Sequence, residues 1–376
     1  TVDFAGTQSQ TIGAFNYGHL TSTSTGARVL TSSGIIGVVG IFSPGTNPYT
    51  VTGSTMSFNG SNQVIPVFNG STGYNNLSVT QLTGNATAGG NLTVSGTLTL
   101  NSGSFMLGSN VLTLNGASAI AGAPFSAAKM IVADGGGELR KSFAANGSYL
   151  FPVGDNSGTA EYSPVTLNFT SGIYATGAYA AVKVTNAKHP ANANSTNYLN
   201  RYWTITNSSI TNPVFNIDAT YVAADISGSD GAISMGKYAG AIPWIKYNVA
   251  NQVSKTISAT AVSNAGSVSF TGISTSGPSI NITGGNTAIC NGAGTQLTAS
   301  ASGSTSYTYS WSPATGLSAT NISNPVASPT TTTTYAVTVT DGNGFTSATS
   351  TTITVNPLPI VDFTGLAATY CNTDAA

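Results

Sequence analysis

From Asn91 to Leu114 the chain alternates between two kinds of residue, and this alternation constrains the fold more than any other feature. Leu92, Val94, Leu98 and Leu100 share one parity, with Thr and Ser between them, and Phe105, Leu107, Leu112 and Leu114 continue the pattern past an Asn-Ser-Gly turn. A period of two places apolar residues on one face of a strand, and Gly- and Asn-containing turns end each run. The same texture recurs upstream. Phe4-Ala-Gly6, Gln10-Thr-Ile12 and Phe15 return as Phe58-Asn-Gly60, Gln63-Val-Ile65 and Phe68, and the run Gly34 to Phe42 returns from Gly90 to Leu98. The offset is 53 to 56 residues, enough for several short strands. Such repeats bury their inward faces by stacking on one another. Residues 1–123 therefore read as a parallel β-solenoid with about 18–25 residues per coil, a twisted antiparallel sandwich being the alternative. Only Asp3 and Arg28 are charged in this stretch, as stacked coils with costly interiors require.

The surface chemistry changes near Pro124. Nine of the ten Lys and Arg residues lie between Lys129 and Lys255, with seven carboxylates among them. Strand-like runs separated by Gly, Asn and Pro turns fill this stretch, and no window carries a capped 3.6-residue period. Residues 124–275 read as a separate antiparallel β-sandwich domain. A Ser/Gly/Pro linker follows. Residues 276–357 then carry Tyr307–Trp311, Thr334–Thr340 and Ser350–Val355 as strands, and Trp311, Tyr335 and Phe345 are expected in the core. Ala368-Thr-Tyr-Cys371-Asn repeats Thr287-Ala-Ile-Cys290-Asn at a spacing of 81 residues. Residues 358–376 thus read as the opening strand of another repeat. The fold class expected is all-β throughout.

Composition narrows function by exclusion. Charged residues make up 6% of the chain and the net charge is −1, so no basic surface invites nucleic acid. The longest apolar run, Gly34 to Phe42, is nine residues with three glycines, far below the roughly 20 needed to span a bilayer. Insertion into a membrane by this segment is not expected. The chain begins with Thr1 and shows no leader, which reads as a mature or excised piece of something longer. Two cysteines are too few for a disulfide scaffold.

Few residues invite chemistry. His19 and His189 have no Cys or carboxylate at ligand spacing. Asp3 is the only carboxylate of the repeat region, whereas glycoside hydrolysis needs two. Glu138 beside Arg140 and Lys141 reads as a solvated ion pair. Gly34-x-x-Gly-x-x-Gly and Gly135–Gly137 precede no helix and are not phosphate loops. Arg201, Trp203 and Trp244 could stack a sugar ring, or could form a buried tryptophan edge capped by arginine. Asp341-Gly-Asn-Gly could hold calcium through oxygens, or be an ordinary turn between strands; one carboxylate favours the turn. No catalytic residue and no cofactor is expected.

Two groups of motifs carry a family resemblance. Cys290-Asn-Gly-Ala-Gly, Tyr307-Thr-Tyr-Ser-Trp311 and Tyr335-Ala-Val-Thr-Val-Thr-Asp-Gly-Asn-Gly-Phe345 resemble the PKD-like, immunoglobulin-like modules repeated in large surface adhesins of Bacteroidota. Phe151-Pro-Val-Gly-Asp155, Tyr162-Ser-Pro-Val-Thr-Leu167 and Asn200-Arg-Tyr-Trp-Thr-Ile205 resemble a β-sandwich module found beside such repeats. The resemblance implies a secreted, non-catalytic protein of the bacterial cell surface, exported by the type IX route and acting in adhesion or gliding motility. It implies an extended stalk or filament whose partners are extracellular: surfaces, glycans or identical subunits. A carbohydrate-binding accessory module of a polysaccharide-degrading protein is the alternative. Relatives of the C-terminal module usually place a second Cys where Phe345 stands. On that reading Cys290 has lost its partner and is either a buried thiol or available to another chain.

Overall fold

The computed structural model describes residues 1–69, 73–284 and 288–358. It divides into two compact units, Thr1–Ser276 and the part that follows from Gly277. Both are built of strands; two single 3-10 turns, Ala223–Asp225 and Asp230–Ala232, are the only helical elements among the described residues.

The first unit begins as a parallel solenoid with three faces. Its third face is the most regular, stacking Asn16–Tyr17, Ile36–Val38, Thr55–Phe58, Asn76–Thr80, Thr97–Ser102 and Ala119–Ala121. The register Ile36–Met56–Leu77–Leu98–Ile120 advances 20 to 22 residues per coil. The inward parity supplies the core: Met56, Leu77 and Leu98 are at most 1% exposed. The outward parity supplies Ser57, Ser78 and Thr99, paired in register across successive coils.

The 54-residue sequence period is thus not the coil. It marks a turn used at two different corners. Gln10 Oε1 accepts a hydrogen bond from the Gly6 amide at 2.9 Å, and Gln63 Oε1 accepts one from the Gly60 amide at 2.6 Å. Gly60 sits so close to the coil before it that a Cβ would lie 1.8 Å from the Val39 carbonyl oxygen. Only glycine fits there.

A charge does enter the coils. Arg28 is 0% exposed. Its guanidinium donates to the carbonyls of Phe4, Gly6, Gly26 and Ala27 and to the hydroxyls of Ser22 and Ser24. A coil corner gathers enough outward-tipped carbonyls to satisfy the fork of five N–H donors, which offsets the burial.

The parallel pairing does not stop at the change of composition. Phe105 pairs with Ile131 and Ile131 with Val153 on one face, and Leu112 pairs with Leu139 on another. The boundary expected between 123 and 124 therefore cuts through stacked coils. The composition shift reports what the surface carries, while pairing follows the inward residues, and those stay apolar. Glu138–Ser142 has the coil strand Val111–Leu114 parallel on one side and strand β1 (Val165–Thr185) antiparallel on the other.

Strand β1 and β2 (Tyr202–Thr220) are 21 and 19 residues long and pair along most of their length. Irregularities near Ser171–Tyr179 let each strand serve two layers. The first half of β1 pairs with Gly147–Phe151 and its second half with Glu138–Ser142. The second half of β2 pairs with β5 (Thr256–Ser263) and its first half with β6 (Gly266–Ser274), which carries β3 (Ile233–Tyr238) and β4 (Ile245–Val249) beyond it. Phe215 links the layers, with ring centroids 5.4 Å from Phe169 and 6.4 Å from Phe270. One buried apolar cluster runs from Ile12 through the coils to Phe270.

The second unit has its own core of Leu297, Ala299, Trp311, Tyr335, Val337, Val339 and Ile353. Strands β8 (Tyr307–Ser312), β9 (Thr333–Asp341) and β10 (Thr346–Asn356) run antiparallel, and β7 (Ala288–Cys290) lies parallel to β10. Trp311 Nε1 donates to the Ile322 carbonyl at 2.9 Å, and the Tyr335 hydroxyl to that of Thr315 at 2.8 Å. Phe345, expected in this core, is half-buried and lies outside the buried cluster. It follows directly on the turn, where the alternation that fills the core has ended. Cys290 is exposed, because Ile289 takes the inward position of its short strand. The repeat expected over 358–376 lies outside the described residues from 359 onward, Cys371 included.

Candidate functional site

The three pieces of the central resemblance meet at Arg201. This residue precedes β2, and its side chain is wholly buried. Nη1 is paired with Asp155 Oδ2, at the end of the last parallel rung, and Nη2 with Glu161 Oε2 in the short strand that turns back on that rung. Nε donates to Asp225 Oδ2 at 2.8 Å. Trp203, two residues on, is 0% exposed, and its Nε1 donates to the Ser163 carbonyl at 3.0 Å. Asn186 Nδ2 donates to Asp155 Oδ1 at 3.1 Å, and the Val222 amide to Asp225 Oδ2 at 2.9 Å.

Three carboxylates around one guanidinium leave negative charge in excess. Burial pushes Glu161 and Asp225 above the ordinary carboxylate range. Arg201 opposes that shift, and the neighbouring carboxylates add to it. Desolvation pulls on Arg201 too, but hydrogen bonds and charge from Asp225 and Asp155 outweigh it and raise the guanidinium further. The arrangement clamps the end of the coils to β2 and to the Ala223–Asp225 turn.

Of the two readings of Arg201, Trp203 and Trp244, this geometry gives the buried one and removes the sugar platform. All three are at most 2% exposed, so none presents a ring face or a free donor to a ligand. Trp244 Nε1 donates to the Ala191 carbonyl at 3.1 Å, and its ring is walled by Tyr238 and His189, with centroids 5.0 and 5.1 Å away. Burial holds His189 below its usual range.

Asp341 is 5% exposed. Its Oδ1 accepts from the Asn343 and Phe345 amides, both at 2.9 Å, and so closes the Asp-Gly-Asn-Gly turn. Among the described residues no group of three or more His, Cys, Asp or Glu side chains is placed to hold a metal ion. Glu138 and Arg140 form a partly exposed pair at 2.5 Å. Lys141 leaves that pair and turns inward to the Gly116 carbonyl.

Two open clefts lie on the first unit. One, of about 470 Å³, is lined by Val39, Ile41, Phe42, Gln63, Val64 and Pro66. It falls in the gap between the parallel stack Val2–Asp3, Leu20–Thr21 and Phe42–Ser43 and the stack that begins at Val64–Ile65. There Gln63 Nε2 donates to the Val38 and Gly40 carbonyls. The other, of about 450 Å³, lies against the irregular middle of β1 and includes Asn115, Ser142, Phe143 and Tyr174. The sequence marks the first lining only as repeat positions in two neighbouring coils, and the second lining joins strands distant in the chain. A scan against protein-family models finds no match for this chain, and no curated protein matches it.

Proposed function

We propose that the chain is a structural and adhesive module of a secreted bacterial cell-surface protein, working outside the cell without catalysis. The observation that carries this reading is the uninterrupted passage from parallel coils into antiparallel layers, with one apolar core from Ile12 to Phe270. From Leu92–Val94 through Val111–Leu114 and Glu138–Ser142 the parallel ladder runs straight into β1, and such main-chain pairing resists local opening and protease attack. The charge-poor Thr, Ser and Asn surface favours weak, repeated contacts, which gain strength by multivalency. The Arg201 junction and the Trp311 module fit the resemblance to adhesin repeats of Bacteroidota. That resemblance supplies the type IX export route, the role in adhesion or gliding, and the choice among surfaces, glycans and identical subunits as partners. No helix among the described residues is long and apolar enough to cross a membrane.

The test uses the producing cells. Antibody against the intact chain should label unpermeabilised cells, and deletion of the gene should reduce attachment or spreading. Labelling only after permeabilisation, or unchanged attachment by the deletion strain, rejects the reading.

A further inference from the structure

The cleft against β1 has features that neither the coil stacking nor the Arg201 junction requires. Its walls come from three places: the turn after Val111–Leu114, the end of Glu138–Ser142, and β1 from Tyr174 to Ala178. Phe143 and Tyr174 are half-buried and line it. Both rings are fixed from behind by Phe169, with centroids at 4.9 and 6.2 Å. The Tyr174 hydroxyl donates to Asn146 Oδ1 at 3.0 Å, and Asn146 Nδ2 donates to the Thr170 carbonyl at 3.0 Å. Tyr174 is thus held through its hydroxyl and by an edge-type contact with Phe169, its position set before any ligand arrives.

The polar lining is different in kind. Asn115 and Ser142 both belong to the lining and are half-buried. Neither side chain has a hydrogen-bond partner among the described residues. No carboxylate, Lys or Arg belongs to the lining. Lys141, next to the lining residue Ser142, is 7% exposed and donates to the Gly116 carbonyl, while Arg140 is paired with Glu138 and lies over the Tyr179 ring, so both charges are already engaged.

These features select a ligand class by elimination. An anionic ligand finds no cation. A purely apolar one strands the carboxamide and hydroxyl, which costs more than leaving them in water. A molecule with one C–H face and a rim of uncharged hydroxyls satisfies both the rings and the polar rim. The volume falls within the range of roughly 300–1,000 Å³ typical of small-ligand sites. We propose that this cleft binds a neutral saccharide, one sugar ring lying on Tyr174 beside Phe143, with Asn115 and Ser142 bonding its hydroxyls.

The experiment screens the full chain against an array of neutral oligosaccharides, with polygalacturonate as the acidic arm, followed by calorimetric titration of any hit. The wild-type chain should bind one or more neutral oligosaccharides. Tyr174→Ala should weaken that binding about tenfold or more, the scale of an aromatic anchor. Because Tyr174 also packs on Phe169, Asn115→Leu is the second variant. Asn115 has no partner to lose, so this variant should melt like wild type yet bind several-fold more weakly. Phe15→Ala, an exposed ring remote from the cleft in sequence, should bind as wild type. Absence of binding to every neutral glycan, binding confined to polygalacturonate, or affinity unchanged in both Tyr174→Ala and Asn115→Leu overturns the proposal. None of these outcomes bears on whether the protein sits on the cell surface.

Discussion

Arg201 and Asp155 form a fully buried ion pair across 46 residues of sequence, joining the residue that opens β2 to the last parallel rung. The pair sits where two kinds of sheet meet. Glu161 and Asp225 complete it, so the junction depends on a single cation.

Removing that cation should be severe. Arg201→Met leaves three neighbouring carboxylates without their cation, and breaking a buried pair in this way typically costs about 3–5 kcal/mol. Denaturant unfolding of the intact chain, followed by tryptophan fluorescence, should show the loss. Arg201→Lys should recover only part of it, since a single ammonium cannot serve three carboxylates in the fork geometry. A loss below about 1 kcal/mol in Arg201→Met would mean that the junction holds nothing together.

The excess of carboxylates also sets a direction for pH. Glu161 and Asp225 are raised in the folded state, mainly by burial. A carboxylate raised on folding binds its proton more tightly when folded, so its contribution to stability grows as pH falls through the raised value. It is lost again as pH rises through that value. Asp230, lowered by its hydrogen bond to Lys255, works the other way, but at pH below the ordinary carboxylate range. Glu161 and Asp225 should therefore raise the melting of the first unit in mild acid, just above that range. His189 opposes them: burial holds it low, and its contribution falls as pH drops through the histidine range. Glu161→Gln should flatten the profile. Melting that falls steadily from neutral pH downward would show that the raised groups do not govern this window.

Arg28 makes a comparable prediction for the first coils. Arg28→Ala orphans several corner carbonyls and opens a void, with about 1–3 kcal/mol for each unsatisfied buried group. Hydrogen exchange should show early loss of protection at Gln10–Ile12 and Arg28–Leu30, with Val165–Thr185 less affected. Uniform protection in the variant would contradict the role given to this side chain.

In the second unit, Asp341→Ala should destabilise by about 1–2 kcal/mol, through loss of the two hydrogen bonds its Oδ1 accepts from the Asn343 and Phe345 amides. Calcium should leave the melting temperature of the wild-type chain unchanged, because the carboxylate already serves the turn. A rise in melting temperature with calcium, abolished in Asp341→Ala, would restore the metal reading.

Much of the fold is legible in the sequence because strand alternation is a local signal. Leu92, Val94, Leu98 and Leu100 declare their inward face without help from distant residues. The coil length is harder to see, since the clearest repeat, Phe-x-Gly followed by Gln, marks a corner shape and recurs at corners of different faces. The domain boundary misleads because charge reports the surface, and strands such as Glu138–Ser142 keep the coil register beneath a charged exterior. The candidate site is the least legible part. Trp203 and Trp244 have the same composition whether they stack a sugar or fill a core, and only pairing decides. Asp155, Glu161 and Asp225 carry a faint signal: in a chain with so few charges, carboxylates near an arginine's strands are candidates for its partners.

Parallel coils and antiparallel layers are expected to form one cooperative body. Hydrogen-exchange mass spectrometry on the intact chain across a denaturant series tests it directly. Peptides covering Asn76–Thr80 and Thr97–Ser102 should lose protection at the same denaturant concentration as those covering Val165–Thr185 and Tyr202–Thr220. Loss of protection in residues 1–123 as a separate, earlier transition would contradict it.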